Sequence, residues 1–321
     1  MKAVQITQTG GPEVLKYVDV PDPTLGPGQA LIDVKSIGVN FMDIYNRSGM
    51  YRVNLPLILG GEGAGIVAQV GAGVTDIRAG DRVAWASGGS SYAEKVVNQA
   101  DRLVKLPPNV SFDLGATAML QGMTAHYLSH DTYPLKHGDT CLVHAAAGGV
   151  GQILVQLAKL RGATVIATVS TEDKAKLARE LGADHVVLYS KVDFAEEVKR
   201  ITGGKGVDVV YDSVGATTFD KGLEALKPRG YMVLYGQSSG LPNPVSPLTL
   251  QAKSLFFTRP GLGHYTATRE DLVRRASAVF SLIAEGKLKV QVFGRYALKD
   301  AAEAHRQMEH RETTGKLLLT P

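Results

Sequence analysis

A chain of 321 residues with 44% hydrophobic and 21% charged content has room for two hydrophobic cores and the balance of an ordinary globular protein. A single cysteine excludes internal disulfides and any thiolate-rich zinc site, and no apolar run is long enough to span a bilayer. The net charge of +4, with a pI near 8.9, is spread along the chain without the basic runs or interleaved aromatics of a nucleic-acid platform. Nucleic-acid binding is therefore unsupported, and the mildly basic surface suits an anionic cofactor. The opening MKAVQITQTGG lacks a signal-peptide core, so the expected location is cytoplasmic, with no membrane attachment.

Residues 1 to about 124 are dense in short strands and turns. Lys2–Ile6, Ala30–Val34 and Gly65–Val70 read as strands, with a loop from Pro21 to Gly28 between the first two. This density predicts a partly closed β-barrel. From about residue 125 the rhythm changes to alternating helix and strand, with strands expected at 140–144, 164–169, 185–188, 207–211 and 231–235. That alternation is the α/β pattern of a doubly wound parallel sheet. Beyond residue 266, REDLVRRASAVFSLIAEGKL predicts an amphipathic helix. A strand at Gln291–Phe293, a helix around Ala301–Glu309 and a strand at Lys316–Leu319, returning to the first domain, complete the chain.

The segment Cys141 to Gly151 (CLVHAAAGGVG) reads as a strand, a glycine turn and the start of a helix. Apolar Ile153, Leu154, Leu157, Ala158 and Leu160 continue the helical period, Gly162 stops it, and Thr164–Val169 follows as a second buried strand. Such a βαβ unit presents backbone N–H groups at a helix N-terminus, a site for a dinucleotide pyrophosphate. Gly148 and Gly151 hold the second and third places of G-x-G-x-x-G, while Ala146 stands where the first glycine would be. We assign the pyrophosphate to Gly148, Gly149, Val150 and Gly151. The second strand ends Val169-Ser170-Thr171 with no acid at its tip and with Lys174 shortly after. A hydroxyl and an ammonium suit the 2′-phosphate of NADPH, which a carboxylate would repel. Glu172 and Asp173 oppose this unless they point outward, and the plainer role of Ser170 is to cap the following helix.

His126 and His130 are spaced i, i+4 and could face one metal, but without a third donor nearby they read as ordinary helix histidines. Cys141, inside a strand, reads as a buried inert thiol. No Gly-x-Ser-x-Gly elbow occurs.

Residues 60–65 run G-G-E-G-A-G, followed by Gly71, Val74 and Gly80-Asp81-Arg82-Val83. Together with Val39–Tyr45, Arg47–Tyr51, Gln121–Ala125, AAAGGVG, Tyr211–Gly215 and Thr313–Lys316, this resembles the medium-chain dehydrogenase/reductase superfamily over essentially the whole chain. It is most similar to the zinc-independent quinone oxidoreductases, the group that includes zeta-crystallin. The resemblance implies a GroES-like β-barrel catalytic domain (1–124 and 266–321) and a Rossmann NADPH-binding domain (125–265). It also implies a homodimer built by edge pairing of the cofactor-domain sheets. Asn40 stands where the zinc branch of the superfamily has a cysteine ligand and Gly61 where it has a histidine, so no catalytic metal is expected.

Without a metal or an evident general base, the chemistry expected is hydride transfer from NADPH to a conjugated acceptor, with the protein holding the two together. The resemblance places Asn40, Tyr45 and Tyr51 around the acceptor. It adds Tyr189 to Ser170 and Lys174 at the 2′-phosphate, and assigns Thr124 to a phosphate and Gly236 with Ser238 to the strand end facing the nicotinamide. A quinone is the expected small-molecule acceptor. An α,β-unsaturated carbonyl or enoyl thioester is the alternative, and an RNA-binding or structural crystallin-like role the alternative of another class.

Overall fold

In the first long strand, buried Ala30, Ile32 and Val34 alternate with half-exposed Leu31 and Asp33, the period-two pattern of a sheet with one face in a core. The computed structural model describes all 321 residues and divides the chain into two units, Met1–Met123 with Thr266–Pro321, and Thr124–Tyr265. The first begins with β1 (Lys2–Ile6), β2 (Lys16–Asp19), β3 (Gln29–Val39), α1 (Phe41–Ser48) and β4 (Leu57–Ile58). It continues through β5 (Glu62–Val70), β6 (Arg82–Trp85), β7 (Lys95–Gln99), β8 (Val104–Lys105) and most of α2 (Phe112–Tyr127), whose last residues belong to the second unit. β1 pairs antiparallel with β2 and β4, and β3 pairs antiparallel with β5. Register shifts between Leu31 and Ile32 and between Val34 and Ser36 bend β3, as bulges do.

The second unit alternates strand and helix: β9 (Thr140–Val143), α3 (Gly149–Leu160), β10 (Thr164–Val169), α4 (Glu172–Glu180), β11 (His185–Leu188), α5 (Phe194–Ile201) and β12 (Val207–Asp212). Then come α6 (Phe219–Ala225), β13 (Leu226–Leu234), α7 (Pro247–Gln251), β14 (Phe256–Thr258) and α8 (Leu262–Tyr265). All six strands are parallel, in the order β11-β10-β9-β12-β13-β14. This is the doubly wound order, which reverses direction beside β9 and leaves its crevice at the carboxyl ends there. Cys141, Leu142, Val143, Val165, Ile166 and Val210 are wholly buried, as strands covered on both faces require.

The chain returns to the first unit through α9 (Arg269–Ala284), β15 (Val292–Ala297), α10 (Ala301–Glu309) and β16 (Lys316–Thr320). β16 runs antiparallel to the end of β3, with Leu318 opposite Gly38, while β7 pairs with the start of β3. One edge of β3 is thus shared by β7 and by the last strand of the chain, and the sheet curls around a core of Ile6, Ile32, Ile37, Trp85, Leu317 and Leu319. The returning strand expected at Lys316–Leu319 is therefore a structural member of the barrel core. No helix is long and apolar enough to cross a membrane.

Candidate active site

In the first unit the polar side chains gather where β3 runs into α1. Asn40 is the N-cap of α1, with an extended backbone, and its N–H donates to Asp43 Oδ2 at 2.9 Å. Its carboxamide turns inward: Nδ2 donates to Glu62 Oε2 at 2.9 Å and to the Gly38 carbonyl at 3.2 Å. Oδ1 accepts from Lys316 Nζ at 2.7 Å, and Lys316 Nζ also meets Glu62 Oε2 at 2.5 Å. The other Glu62 oxygen accepts the Leu120 N–H of α2 at 2.6 Å.

A second line of buried groups reaches Asn40 through Asp43. Burial pushes the Asp43 carboxyl up to about 6, against the pull of the Asn40 N–H, the Lys316 charge and the Tyr92 hydroxyl. Burial, reinforced by Arg47, holds His305 down to about 3, so its imidazole is neutral, with one donor and one acceptor nitrogen. Arg47 can only donate, so His305 Nδ1, 3.1 Å from it, is the acceptor. Nε2 then carries the proton and donates to Tyr92 Oη at 2.9 Å, and Tyr92 in turn donates to Asp43 Oδ2 at 3.1 Å. Glu309 closes the outer end on Arg47 at 2.6 Å. The hydrogen-bond directions from Arg47 to the α1 cap are thus all determined.

Tyr45 lies on the second turn of α1, buried, and Tyr51 packs edge-on against it with ring centroids 5.5 Å apart and 77° between planes. The Tyr51 N–H donates to the Tyr45 carbonyl at 3.2 Å. The structure therefore brings these two predicted residues together on the helix that Asn40 begins. Beside Glu62, a side chain added at Gly61 would meet nothing within 4 Å.

In the second unit the cradle is made of backbone. Ala145, with φ of 49°, takes the left-handed turn, one residue before the position expected from the motif. Gly148 caps α3 with an extended backbone and no side-chain cap, leaving the first-turn N–H groups of the helix for a ligand. Gly148, Gly149 and Val150 are half-exposed, whereas Gly151 is buried. A Cβ on Gly151 would stand 2.3 Å from the Ala145 carbonyl, so only glycine lets helix and strand approach this closely. His144, at the end of β9, is buried, with Nδ1 2.8 Å from Thr168 Oγ1 and its ring edge-on to Phe194.

Ser170 and Tyr189 directly follow the ends of β10 and β11, which pair in register Val169 to Leu188. Ser190 Oγ donates to the Ser170 carbonyl at 2.9 Å, tying the two ends, and Tyr189 is exposed. The α4 cap is Thr171, not Ser170: Thr171 Oγ1 accepts the Lys174 N–H at 3.3 Å, which leaves Ser170 without the capping role. Lys174 sits in the first turn, half-buried. Glu172 pairs with Lys191 at 2.7 Å, which turns its charge to another partner. Gly236 and Ser238 lie in the loop after β13, which runs along the loop after β12: the Ser238 N–H donates to the Ser213 carbonyl at 3.1 Å. Asp212 holds that neighbouring turn by accepting from the N–H groups of Val214 (2.7 Å) and Gly215 (3.1 Å). Thr124, on α2, is buried.

His126 and His130 stack with centroids 4.1 Å apart, and they belong to no group of three or more His, Cys, Asp or Glu side chains placed to hold a metal. Past Tyr127 the helix widens into a π-helical turn over Leu128–Thr132, so the pair sits at a break in the regular helix. Cys141 is buried in β9, and burial raises its thiol pKa far above the usual range, which makes it inert.

Family models match along most of the chain: the alcohol dehydrogenase GroES-like domain at residues 26–135 and the zinc-binding dehydrogenase domain at residues 149–277. A quinone oxidoreductase of Pseudomonas aeruginosa is 44% identical over 326 residues, covering 100% of this chain and 99% of the relative. A 2-haloacrylate reductase of Burkholderia is 43% identical over 329 residues, covering 99% and 98%. The solved Escherichia coli quinone oxidoreductase complexed with NADPH superposes with a TM-score of 0.98 at 44% identity, covering 100% of both chains. The chain belongs to the medium-chain dehydrogenase/reductase superfamily, among its quinone oxidoreductases.

The metal in the name of the matched zinc-binding domain finds no fitting donors here. Asn40 Oδ1 already accepts from a buried ammonium, beside which a dication would be repelled, and Gly61 has no side chain to offer. The residues that sequence reasoning passed over are Glu62, Asp43, Tyr92, His305, Arg47 and Lys316. Glu62, Asp43, Arg47 and Lys316 lay within motifs already noticed, but nothing in a linear chain pairs position 62 with position 316.

Proposed function

We propose that this chain reduces quinones with NADPH, without a metal. The observation that carries this reading is full-length similarity to quinone oxidoreductases, one of them solved with NADPH, in a chain whose β10 ends without an acid. The uncapped N-terminus of α3, with Gly148, Gly149, Val150 and Gly151, would hold the pyrophosphate through backbone N–H groups and the helix dipole. Ser170, Lys174 and Tyr189 would hold the 2′-phosphate, each charge-assisted bond contributing about 1.5–3 kcal/mol. Thr124 would support a phosphate, and Gly236 and Ser238 would line the nicotinamide end.

The bound dinucleotide supplies a hydride, and a conjugated acceptor takes it without a Lewis acid. Tyr45 and Tyr51 would offer a flat apolar face to the acceptor ring and hydroxyl protons to the oxygen on which charge develops. Asn40 would sit beside them. A second reading, reduction of an α,β-unsaturated carbonyl, is favoured by the likeness to a 2-haloacrylate reductase.

The test is NADPH oxidation with 9,10-phenanthrenequinone in the presence of a chelator, with NADH in parallel. Chelator-resistant turnover favouring NADPH supports the proposal. Turnover with a haloacrylate or enone and none with quinones would move it to the second reading, and failure to bind NADPH would end both. The reading extends to a cytoplasmic homodimer. β14 pairs only with β13, so its outer edge is open, and Phe256, Leu241 and Leu248 are exposed in the same unit. Light scattering at a single-chain mass would overturn the dimer.

A further inference from the structure

Glu62 and Lys316 stand 254 residues apart, and both side chains are wholly buried. The proposed reduction does not use them. The glycine at position 38 makes room both for α2 and for the pair: a Cβ there would fall 2.4 Å from the Ala116 carbonyl, 2.4 Å from Glu62 Oε2 and 2.7 Å from Lys316 Cε. What these two charges do is visible at Asn40.

A carboxamide has two N–H donors and two acceptor lone pairs. In Asn40 both donors are consumed, by Glu62 Oε2 and the Gly38 carbonyl, and one lone pair accepts from Lys316. Lysine only donates and a carboxylate only accepts. Turning the amide over would set its NH2 against the ammonium and its oxygen against the carboxylate, both of them wholly buried. The Asp43 N–H is taken by the Asn40 backbone carbonyl at 3.0 Å, so the amide has one orientation and its remaining capacity is a single lone pair on Oδ1.

We propose that Lys316 is a positioning residue for the reduction: held by Glu62, its ammonium locks the Asn40 carboxamide so that Asn40 meets the acceptor only as a hydrogen-bond acceptor. This rests on the reading in which Asn40 faces the acceptor. Donors to the developing oxyanion must then come from elsewhere, and the Tyr45 and Tyr51 hydroxyls are the predicted ones. The Oδ1 lone pair suits the hydroxyl that appears once the reduced oxygen gains its proton.

The experiment compares full-length wild type, Lys316→Met, Lys316→Arg and the charge-neutral double variant Glu62→Gln/Lys316→Met. Lys316→Met should lower kcat by about ten-fold or more while leaving the KM for NADPH within about two-fold. It should also lower Tm, because Glu62 loses its buried counter-charge. The double variant should recover Tm but not kcat, and Lys316→Arg should recover part of kcat. A folded Lys316→Met with wild-type kcat, or a double variant that recovers kcat together with Tm, would overturn the proposal.

An activity-independent readout comes from the side-chain amide protons of 15N-asparagine-labelled protein, with the Asn40 pair identified by its loss in Asn40→Ala. They should be protected from exchange in the wild type and exchange faster in Lys316→Met, where the amide can turn over and leave Glu62 and the Gly38 carbonyl. Equal protection in both would overturn the lock, whatever the acceptor. If the wild type turns over neither quinones nor enones, the proposed function fails before any variant is compared, and the amide readout still decides the lock.

Discussion

The two units build their candidate sites from opposite materials. The α3 cradle is backbone, made by eight consecutive residues from His144 to Gly151, of which Ala145 and Gly148 to Val150 are half-exposed. The Asn40 cluster is side chains, drawn from positions 40, 43, 62, 92, 305 and 316, and almost all of it is buried. A contiguous turn places N–H groups by local geometry alone, so substitution at its half-exposed positions, Gly148 to Val150, should disturb binding more than folding. A buried charge network holds itself together, so removing one member should cost stability first.

The sharpest way to break that contrast is Glu62→Ala, which strands the Lys316 ammonium in the core. It should destabilise the protein by about 3–5 kcal/mol, read by chemical denaturation. A loss below 1 kcal/mol, at the level of a surface ion pair, would mean that the network is not structural.

Asp43 offers a test by pH. Its carboxyl titrates at about 6 when folded and near the ordinary 3.8 when unfolded, so between these values the folded state binds more protons. This group's contribution should therefore fall as pH rises through that window, by about 3 kcal/mol in total, and level off above it. Asp43→Asn should lose this slope, so that the difference between variant and wild type changes by that amount across the window, whereas parallel curves would place the group's titration elsewhere.

On the cradle side the expected effects are on ligands. Lys174→Ala should raise the KM for NADPH by about ten-fold or more, the loss of one charge-assisted hydrogen bond, and leave the KM for NADH nearly unchanged. Equal shifts for the two cofactors would contradict the 2′-phosphate assignment. Smallest of all, Tyr51→Phe removes one hydroxyl and keeps the ring. It should lower kcat by about ten-fold at constant cofactor affinity, with wild-type kinetics removing the role.

The βαβ turn was legible because its requirements are local: a strand, a small-residue turn and an amphipathic helix within thirty residues. Even there the detail moved. The left-handed residue is Ala145, beside the expected position, because backbone conformation is set by the path into α3 and not by a motif. Capping shifted likewise from Ser170 to Thr171, since the helix begins one residue later than the strand end would allow. Tyr45 and Tyr51 were found together because α1 and the turn after it are adjacent in sequence.

By itself, then, the sequence determined the alternation of a β-rich unit with a doubly wound one and the place of the glycine turn before α3. Periodicity and residue chemistry act over a few residues and survive linear reading. Only the tertiary structure decided that Glu62, Lys316 and Asn40 form one unit, or that the chain from Arg47 through His305 and Tyr92 to Asp43 has a single direction. Those facts depend on β16 lying against the end of β3 and α10 against the same core, and on burial that makes His305 neutral and every hydrogen bond obligatory.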